Sequence, residues 1–595
     1  MCMDERPIGR NVIARHRFAR LFSLGDRRNP KSWSPGLILS KEDPELPESI
    51  APLFFSRNNN DIPASSKLST RSNLCYPFDS TDQWNFNEGL VLPPSLVDSD
   101  SGEFGVGTEV LPISWSSLHH DDRIAKMDAQ PSVVVLTDSP QLANLPGMLE
   151  AALLSIRTKF PASLIWTPGI AGPDNCALLA WMGADLFDMS RSRIASSLGV
   201  LITESGPRSP DCDSEEDSSM ISQCSEWSRA ISSVRVAIRE GSLRELAERN
   251  STSSASSVVH LRTHDLLSRD ISERRGLLSS SENSGRKLRF YSYESRNDPA
   301  VKYWRDRVSE FHEPPDHQRQ VLVLLPCSAK KPYKLSQSHA RFRRSLKNHL
   351  IHEVMVTAPL GLVPRELEEL WPAAHYDIPV SGIWDVDELL TIQGMISRVV
   401  ERVGYSIIIN HSGINLLLDG IRVVDTRQGD SAGSMEALSR LQNEVEIAFK
   451  DLPNDEFPER PRLMQLKAIS RFLLGSDSWL DGAEIRGRPP IITINRDGIQ
   501  IAKWNPRRGM FSFSKASLGL LEKLEVLNRV HLKAEVNWSG DIFPSYIEDF
   551  DPIIRAGDEL LVYQDSRLIG SARATAPGWE WPHGPGRLAK ARHRL

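Results

Sequence analysis

The chain has few cysteines for its length, and neither their number nor their spacing suggests disulfide bonds. Its 595 residues contain 6 cysteines, too few for a disulfide framework in a protein of this size. No two of them form a C-x-x-C or C-x-C pair, so a cysteine-rich zinc site is not expected. The sequence therefore predicts no metal centre.

Long apolar runs and an apolar leader are also absent. The N-terminal segment MCMDERPIGRNV has no apolar core of the kind that directs secretion. No stretch approaches the roughly 20 apolar residues that a membrane-spanning helix needs. We expect a cytoplasmic protein with no membrane partner.

An overall excess of positive charge is missing as well. The formal net charge is -6, so the chain as a whole has no positive potential that would indicate a nucleic-acid partner. Basic residues are instead concentrated at 341–347 and 587–594, and an acidic, Ser-rich run spans 211–217. Local basic patches of this kind are sufficient for binding a structured RNA.

The length predicts about four domains at roughly 150 residues each. Within residues 1–290, predicted strands at 132–137, 162–166 and 184–187 alternate with helices at 145–159 and 173–182. That alternation predicts βαβ units and a parallel sheet, with Asp188 at a strand's carboxyl end. Ser-rich stretches at 204–223, 250–257 and 277–287 are predicted to be disordered insertions.

Residues 291–450 carry the clearest α/β pattern. Predicted strands at 321–325, 353–357, 375–380 and 406–409 alternate with helices that begin after Ser336, at 364, at Val386 and at 434. In an open parallel sheet, ligands bind beyond the carboxyl ends of the strands. That rule gathers one set of residues at a single crevice: Cys327, the turn 359–361, Trp384, Asp385, Asn410 and His411.

Cys327 follows the first of these strands directly. Ser336 is predicted to cap a helix that presents Phe342, Leu346 and Leu350 on one face. A cysteine that faces a helix N-terminus and two lysines, Lys330 and Lys331, lies where a thiolate is stabilised. The alternative for Cys327 is a small buried hydrophobic residue.

The remaining residues form two smaller predicted units. Residues 451–525 combine a helix at 460–475 with a hairpin around Asp497 and Gly498, which predicts a small α+β module. Residues 526–595 contain short strands and end close to Arg592 and His593.

The spacing P-C-x-x-x-K-P-Y-x-x-S-x-x-H resembles the signature of archaeosine synthase of the alpha-subunit type, a paralogue of tRNA-guanine transglycosylase. The resemblance implies an α/β multidomain chain: a degenerate transglycosylase-like (β/α) barrel at 1–290, a parallel-sheet core domain at 291–450, the α+β module, and a PUA-like β-barrel at 526–595. The PUA likeness rests on IIRAGDELLVY, LIGSARA and the final RH, and it implies that Arg592 and His593 bind RNA. A small β-barrel for homodimerisation is the alternative.

The segment 181–199 resembles the nucleophile region of the transglycosylases, with Asp188 at the matching position. Active transglycosylases continue with a Pro-Thr-Arg stretch, whereas this chain has Met189-Ser190-Arg191. The cysteine zinc cluster of those enzymes is missing too, so we expect base exchange to be lost. The alternative role for Asp188 is to cap a helix.

The resemblance implies an enzyme that adds an amine to the nitrile of 7-cyano-7-deazaguanine in the tRNA D-arm, without a cofactor. Free lysine is favoured over glutamine-derived or free ammonia, and a lysine adduct needs a radical-SAM partner protein. The alternatives are base exchange and non-catalytic tRNA binding.

On the implied mechanism, the thiolate of Cys327 attacks the nitrile carbon, and Lys330 or Lys331 acts on the nitrile nitrogen. His339, His411 and Asp385 are the candidate general bases. The residues expected to bind substrate are Lys330, Tyr333, Ser336, Trp384, Asn410 and His411. Structural alternatives are phosphate contact for the lysines, capping or packing for His339, core packing for Trp384 and helix capping for Asp385.

Overall fold

The computed structural model of the 595-residue chain describes residues 8–26, 28–55, 109–127, 130–145, 147–211, 217–274, 278, 287–380, 384–450, 460–581, 583–584 and 586–595, and short strands at 69–70, 73–75, 83–85 and 90–91. The chain divides into two units. Unit 1 comprises Met1–Ser284, Val536–Ala556 and Ala574–Lys590, and unit 2 comprises Gly285–Glu535, Gly557–Arg573 and Ala591–Leu595. The division into four domains stays a prediction, because the two units follow other boundaries.

The strands of unit 1 before residue 285 fall into one large sheet and several small ones. In chain order they are β1 (Arg10–His16), β2 (Ala19–Leu24), β3 (Ser32–Ser34), β4 (Gly36–Ser40), β5 (Leu53–Phe55), β6 (Ser69–Thr70), β7 (Asn73–Cys75), β8 (Gln83–Asn85), β9 (Leu90–Val91), β10 (Glu109–Ile113), β11 (Val133–Leu136), β12 (Leu164–Trp166), β13 (Leu186–Asp188), β14 (Leu201–Thr203) and β15 (Gly206–Arg208).

The large sheet has the order β6-β10-β11-β12-β13-β4-β5-β9. Neighbouring strands are parallel except β5 and β9. Every side chain of β11, β12 and β13 is buried, as expected for a parallel sheet covered on both faces. The predicted parallel sheet is confirmed, and over the described residues it forms a half-barrel whose two end strands do not pair.

The helices of unit 1 cover this sheet. They are α1 (Trp115–His120), α2 (Asp122–Ala125), α3 (Ser139–Leu142), α4 (Met148–Lys159), α5 (Cys176–Met182), α6 (Ser190–Ser197), α7 (Met220–Glu240), α8 (Leu243–Ser251) and α9 (Ala255–Arg274). The predicted helices at 145–159 and 173–182 are therefore confirmed with shorter bounds. The prediction of a disordered insertion at 250–257 is wrong, because Asn250 and Ser251 are buried at the end of α8 and α9 follows almost at once.

The other two predicted insertions lie partly outside the described residues. Of 204–223, the structure describes β15 and the start of α7 on either side of 212–216. Of 277–287, it describes positions 278 and 287. Among the residues described, no helix is both long and apolar enough to cross a membrane.

The strands of unit 2 up to residue 525 are β16 (Leu288–Arg289), β17 (Val321–Pro326), β18 (Ile351–Thr357), β19 (Gly361–Pro364), β20 (Tyr376–Asp377), β21 (Ile407–Asn410), β22 (Arg422–Asp425), β23 (Glu484–Arg488), β24 (Ile491–Arg496), β25 (Ile499–Asn505) and β26 (Met510–Phe513). The helices are α10 (Pro299–Asp306), α11 (Gln337–Leu346), α12 (Val386–Val403), α13 (Met435–Lys450), α14 (Pro461–Leu474) and α15 (Leu518–Lys523). A π-helical turn, Arg307–Phe311, extends α10.

The core sheet of unit 2 has the order β19-β18-β17-β21-β22. Its strands are parallel except for the β18–β19 pair. From β17 the chain moves outward through α11 to β18, and it then returns through α12 to pair β21 with the other side of β17. The carboxyl ends of β17 and β21 therefore flank a topological switch point, where open α/β sheets bind their ligands.

Local sequence signals account for several element boundaries in unit 2. The Ser336 hydroxyl accepts a hydrogen bond from the His339 backbone N–H at 3.2 Å, which caps α11 as predicted. Lys347 adopts a left-handed conformation (φ 39°) and ends α11. Phe342 and Leu346 face the core as predicted, but Leu350 lies beyond the helix.

Two of the predicted elements in this block are wrong and one strand is new. Residues 361–364 form β19, a partner of β18, and a 3-10 turn at Arg365–Leu367 replaces the predicted helix. The predicted strand at 375–380 is reduced to β20, which pairs with β16 outside the core sheet. β22 was not predicted because its side chains are half-buried or exposed, which gives no apolar run.

The predicted α+β module is present as α14 and the antiparallel sheet β23-β24-β25-β26. The hairpin between β24 and β25 turns at Asp497 (φ 50°) and Gly498 (φ 78°). Two successive positive φ angles are typical of the tight turn that Asp-Gly favours.

The C-terminal strands are β27 (Arg529–Leu532), β28 (Ile547–Phe550), β29 (Glu559–Gln564), β30 (Arg567–Ala574) and β31 (Ala589–Arg594). β27 is parallel to β29, and β29 is antiparallel to β30. The PUA-like barrel predicted for this segment remains a prediction.

A buried ion cluster ties residues 574–590 to the start of unit 1. Glu580 is fully buried, and its carboxylate lies 2.8 Å from Arg15 and 2.5 Å from Arg20. The Arg20 guanidinium also stacks on the Trp579 ring, 5.0 Å from its centroid. A buried charge is tolerated only while its partner is present, so each member of this cluster depends on the others.

We predict that Glu580→Gln destabilises the protein by about 3–5 kcal/mol, because it removes the negative charge that pairs with buried Arg20 and half-buried Arg15. Chemical denaturation of the full chain measures this loss. Asp122→Asn is the control, since Asp122 pairs with Lys126 on an exposed surface and such a pair contributes about 1 kcal/mol or less. Equal stability of the two variants would contradict the prediction.

Candidate active site

A cleft of about 770 Å³ opens at the carboxyl ends of the core strands of unit 2. Cys327 and Thr357 lie in it, immediately after β17 and at the end of β18. The loop after β21 contributes Ser412 and Gly413, and the far side is formed by residues from 290–296, 378–380 and 384–389. The predicted crevice therefore exists at the switch point, and Cys327 faces it.

The Cys327 thiol is half-buried and forms no disulfide. Burial raises the pKa of this thiol above its ordinary value, while a hydrogen bond with Thr357 and the charge of Lys331 act to lower it. Burial is the larger effect. The prediction of a stabilised thiolate is thus corrected: the resting group is a thiol whose ionised form has two local partners.

Lys331 is buried beside Cys327, whereas Lys330 is exposed to solvent. The Lys331 ammonium lies 4.0 Å from the centroid of the Tyr376 ring, a cation–π contact. Burial lowers the pKa of Lys331, and the negative charges that Cys327 and Asp377 can carry act to raise it. Of the two lysines, Lys331 is the one placed to act on a group bound at the sulfur.

Three hydroxyl groups form a chain behind Cys327. The Tyr333 hydroxyl lies 2.5 Å from that of Tyr376, which in turn lies 2.7 Å from the Thr357 hydroxyl. Both tyrosines are fully buried, and burial raises the pKa of each phenol. Tyr333 was predicted to contact substrate; instead it supports Tyr376 and Thr357 from inside the core.

Aromatic side chains surround the mouth of the cleft. Tyr291 and Tyr293 are 58% and 53% exposed, and Trp384 is half-buried at the same rim. A planar base can stack on exposed rings of this kind. Trp384 was predicted from the sequence, whereas Tyr291 and Tyr293 were not, although the run Phe-Tyr-Ser-Tyr at 290–293 is a recognisable aromatic cluster.

Asp385 caps α12 and does not act as a free carboxylate. Its side chain accepts a hydrogen bond from the Glu388 backbone N–H at 2.9 Å, and it pairs with Arg296 at 2.5 Å. These interactions, the backbone hydrogen bond first, hold the pKa of Asp385 below its usual value. The carboxylate lies at the cleft as predicted, but it is a weak base, and the capping alternative describes its contacts.

A second cleft of about 560 Å³ adjoins the first, beside the loop between β21 and β22. Gly413, Ile414, Asn415 and Arg427 contribute to both clefts. Gly413 has a positive φ of 87°, and a Cβ there would collide with the Arg427 guanidinium, so the shared wall requires glycine. Asn410 lies in this second cleft, where its side chain bonds the Ile414 carbonyl and the Ser412 hydroxyl.

His339 and His411 are buried and do not reach either cleft. His339 Nδ1 accepts a hydrogen bond from Arg365 at 2.9 Å, and burial lowers the pKa of His339 to about 3. His411 uses both ring nitrogens, towards the Thr426 hydroxyl at 2.8 Å and the Ala432 carbonyl at 2.9 Å. Their prediction as general bases is therefore corrected, and Ser336 likewise serves as a helix cap.

In unit 1, Asp188 lies at the carboxyl end of β13 as predicted. Its carboxylate accepts three hydrogen bonds, from the Trp166 indole at 3.2 Å, the Gly169 backbone at 2.8 Å and the Ser190 backbone at 2.9 Å. A buried carboxylate with three donors is held in one orientation. One donor, Ser190, is the first residue of α6, whose N-cap is Met189, so Asp188 bonds the turn that leads into this helix and does not cap it.

Near the C-terminus, Arg592 and His593 both contact β26. Arg592 donates to the Ser512 hydroxyl at 3.0 Å, and His593 lies 3.0 Å from the Phe513 carbonyl. Arg592 remains exposed and His593 is half-buried.

Comparisons with known proteins place this geometry in context. A family model described as "Domain of unknown function (DUF5591)" matches residues 301–445, which include β17, β18, β21 and the Cys327 loop. Archaeosine synthase of Methanocaldococcus jannaschii is 29% identical over 489 residues, 80% of each chain. Archaeosine synthase subunit alpha of Methanosarcina acetivorans is 28% identical over 77% of this chain and 78% of its own.

A more distant match is tRNA-guanine(15) transglycosylase of Methanothermobacter thermautotrophicus, which is 26% identical over 74% of this chain and 67% of its own. The resemblance to archaeosine synthases of the alpha-subunit type, inferred from the motif around Cys327, is confirmed by these matches.

We predict that Thr357→Val moves the midpoint of Cys327 alkylation by iodoacetamide to higher pH. The thiolate is the reacting form, and the variant removes a hydrogen bond that lowers the pKa of Cys327. Mass spectrometry of the Cys327 peptide across a pH series measures the midpoint. Thr426→Val is the matched control, because Thr426 is equally buried but bonds His411. An unchanged or lower midpoint in Thr357→Val would contradict the assignment.

Proposed function

We propose that this protein is a tRNA-modifying enzyme of archaeosine biosynthesis, which adds an amine to the nitrile of 7-cyano-7-deazaguanine in the tRNA D-arm and forms an amidine. The observation that carries the proposal is the position of Cys327 in the cleft at the switch point, with Lys331 beside it. The names of the relatives, archaeosine synthase and its subunit alpha, support the same pathway.

The first step joins sulfur to the nitrile carbon. Burial raises the pKa of the Cys327 thiol and lowers that of Lys331, so burial favours the neutral amine of Lys331, which takes the proton from the sulfur in this proposal. The thiolate attacks the carbon, one π bond of the nitrile breaks, and its nitrogen takes the proton back from Lys331. The product is a covalent thioimidate, and covalent catalysis divides a difficult addition into two easier steps.

The second step releases the sulfur. A neutral amine attacks the thioimidate carbon, its surplus proton passes to Lys331, and the carbon–sulfur bond breaks to restore the Cys327 thiolate. The sum is nitrile plus amine giving amidine, with no oxidant and no cofactor. Thr357 and Lys331 stabilise the thiolate both when it forms and when it leaves.

The amine is proposed to be free lysine, with glutamine-derived or free ammonia as the other donors. The second cleft offers separate space for the amine, because this cleft reaches the loop shared with the first cleft without passing the aromatic rim. A lysine adduct would require a radical-SAM partner protein to release archaeosine.

The tRNA is proposed to present its modified base through the aromatic rim. Tyr291, Tyr293 and Trp384 are positioned to stack on an extruded base, and Lys330 is exposed for phosphate. Residues 526–595 are proposed to bind the folded tRNA through Arg592 and His593, as a PUA-like domain would. A homodimer contact by that segment is the alternative.

Base exchange is not favoured as the function. The three hydrogen bonds of Asp188 give its carboxylate a structural role at the start of α6. Incorporation of a labelled free base into tRNA by the purified protein would support base exchange instead.

The proposal predicts a mass gain on the modified nucleoside. Cyano-modified tRNA is incubated with the protein and, separately, lysine, glutamine or ammonium, and the digested nucleosides are weighed by mass spectrometry. A gain equal to lysine, or to ammonia, supports amidine formation and identifies the donor. An unchanged nitrile with every amine, the radical-SAM partner included, would leave tRNA binding without catalysis.

Cys327→Ala separates the two chemical routes in the same assay. The thioimidate route predicts a loss of at least about a thousandfold in rate, since the variant lacks the nucleophile. Cys224→Ala is the control, because Cys224 is also a free cysteine but lies in unit 1. Full activity of Cys327→Ala would leave direct addition of the amine as the mechanism.

We predict that Tyr291→Ala weakens binding of cyano-modified tRNA about tenfold, since loss of one base–aromatic stack costs roughly 1–3 kcal/mol. Electrophoretic mobility shift at fixed salt measures the affinity. Phe311→Ala is the matched control, because Phe311 is a 71% exposed ring of unit 2 that lies outside the cleft. Equal effects of the two variants would contradict a specific stacking role.

A further inference from the structure

Three buried side chains of unit 2 converge outside the proposed active site. His312 follows the π-helical turn, His352 is the second residue of β18, and Glu366 lies in the 3-10 turn after β19. The Nε2 atoms of His312 and His352 lie 2.7 and 3.2 Å from the same oxygen, Glu366 Oε1. One donor atom from each residue falls within 4.8 Å of the others.

The protein alone does not satisfy this cluster. Glu366 Oε2 and His312 Nδ1 are buried without a hydrogen-bond partner. A buried carboxylate oxygen without a hydrogen-bond donor is costly, and a bound cation would satisfy it.

A small cavity adjoins the two histidines, although Glu366 does not line it. His312, His352 and Tyr405 contribute to a cavity of about 10 Å³, otherwise formed by apolar residues such as Val308, Val354 and Val399. That volume corresponds to about one water molecule. Arg402, whose charge acts on His312, is already paired with Glu313 at 2.8 Å.

We propose that His312, His352 and Glu366 bind one divalent transition-metal ion, Zn²⁺, through two imidazole Nε2 atoms and one carboxylate, with a water molecule as fourth ligand. Two imidazoles and one carboxylate form a donor set that proteins use for Zn²⁺. Donors at about 2.0–2.1 Å in a tetrahedron lie roughly 3.3 Å apart. The distance of 3.2 Å between His352 Nε2 and Glu366 Oε1 already fits this spacing. The 2.7 Å between His312 Nε2 and the same oxygen must lengthen by about half an ångström.

Tyr405 completes the arrangement as a partner of one ligand. Its hydroxyl lies 2.5 Å from His352 Nδ1, so it fixes the ring and leaves Nε2 directed at the proposed ion. Metal-binding histidines almost always have such a second hydrogen bond, and its loss typically weakens metal affinity about 10–100-fold. His352 has this partner, whereas His312 Nδ1 has none.

The position of this cluster indicates a structural role. His352 lies near the amino end of β18, whereas Thr357 lies at its carboxyl end, beside Cys327. An ion there would join three segments separated by 14 to 54 residues and would stabilise the fold by its own binding free energy. No sequence motif points to this cluster, because its three residues lie far apart in the chain.

The test begins with the full chain, stripped of metal by a chelator and titrated with Zn²⁺ against a chromophoric competitor. We expect uptake of about one equivalent and a higher melting temperature. X-ray absorption at the zinc edge should show nitrogen and oxygen ligands without sulfur. Failure of the stripped wild-type protein to take up stoichiometric zinc, or a sulfur-containing ligand shell, would overturn the proposal.

Variants locate the ion. Glu366→Gln should weaken zinc binding at least about a hundredfold, since loss of a direct ligand exceeds loss of an outer partner. Tyr405→Phe, which removes a single hydroxyl, should weaken it about 10–100-fold and keeps the test valid if Glu366→Gln does not fold. His317→Gln is the control, because His317 is equally buried and lies outside the cluster. Wild-type affinity in both Glu366→Gln and Tyr405→Phe would refute the site.

Discussion

The Tyr376 side chain holds together the surroundings of Cys327. Its hydroxyl bonds Tyr333 on one side and Thr357 on the other, and its ring carries the Lys331 ammonium. These partners come from the loop after β17 and the end of β18, whereas Tyr376 belongs to β20 outside the core sheet. One residue of a two-residue strand therefore fixes the positions of Thr357 and Lys331 around the Cys327 sulfur.

The chemistry of the site follows from a balance between burial and charge. Burial disfavours every ion in the cleft wall, so it raises the pKa of Cys327 and lowers that of Lys331. Both shifts favour the neutral forms, and a proton moved from the sulfur to the amine creates an ion pair. A substrate that excludes water from the cleft strengthens that attraction, because the local dielectric constant falls.

The sequence predicted features that depend on neighbouring residues and missed those that depend on distant ones. Ser336 and Asp385 were recognisable as helix starts, the turn at Asp497 and Gly498 as a hairpin, and Cys327 as the residue after a buried strand. The burial of Tyr333 and His339 was not predictable, because a polar side chain can either face a cleft or bond a partner inside the core. Their partners, Tyr376 and Arg365, lie 43 and 26 residues away.

The same limit explains the errors in the core sheet. Residues 364–370 have a helical composition, yet 361–364 pair with β18 because an apolar edge is available there, and tertiary pairing overrides local propensity. β20 was predicted as a full strand of the sheet, but its partner is β16, a strand of two residues outside the core sheet.

The raised pKa of Cys327 also affects how readily its sulfur is oxidised. Peroxide and other electrophiles attack thiolates far faster than thiols, and susceptibility follows thiolate character and exposure. A half-buried sulfur that keeps its proton reacts slowly with such agents, yet it ionises readily once a neighbouring amine accepts that proton. The same burial that raises the pKa of Cys327 thus also limits irreversible damage to its sulfur.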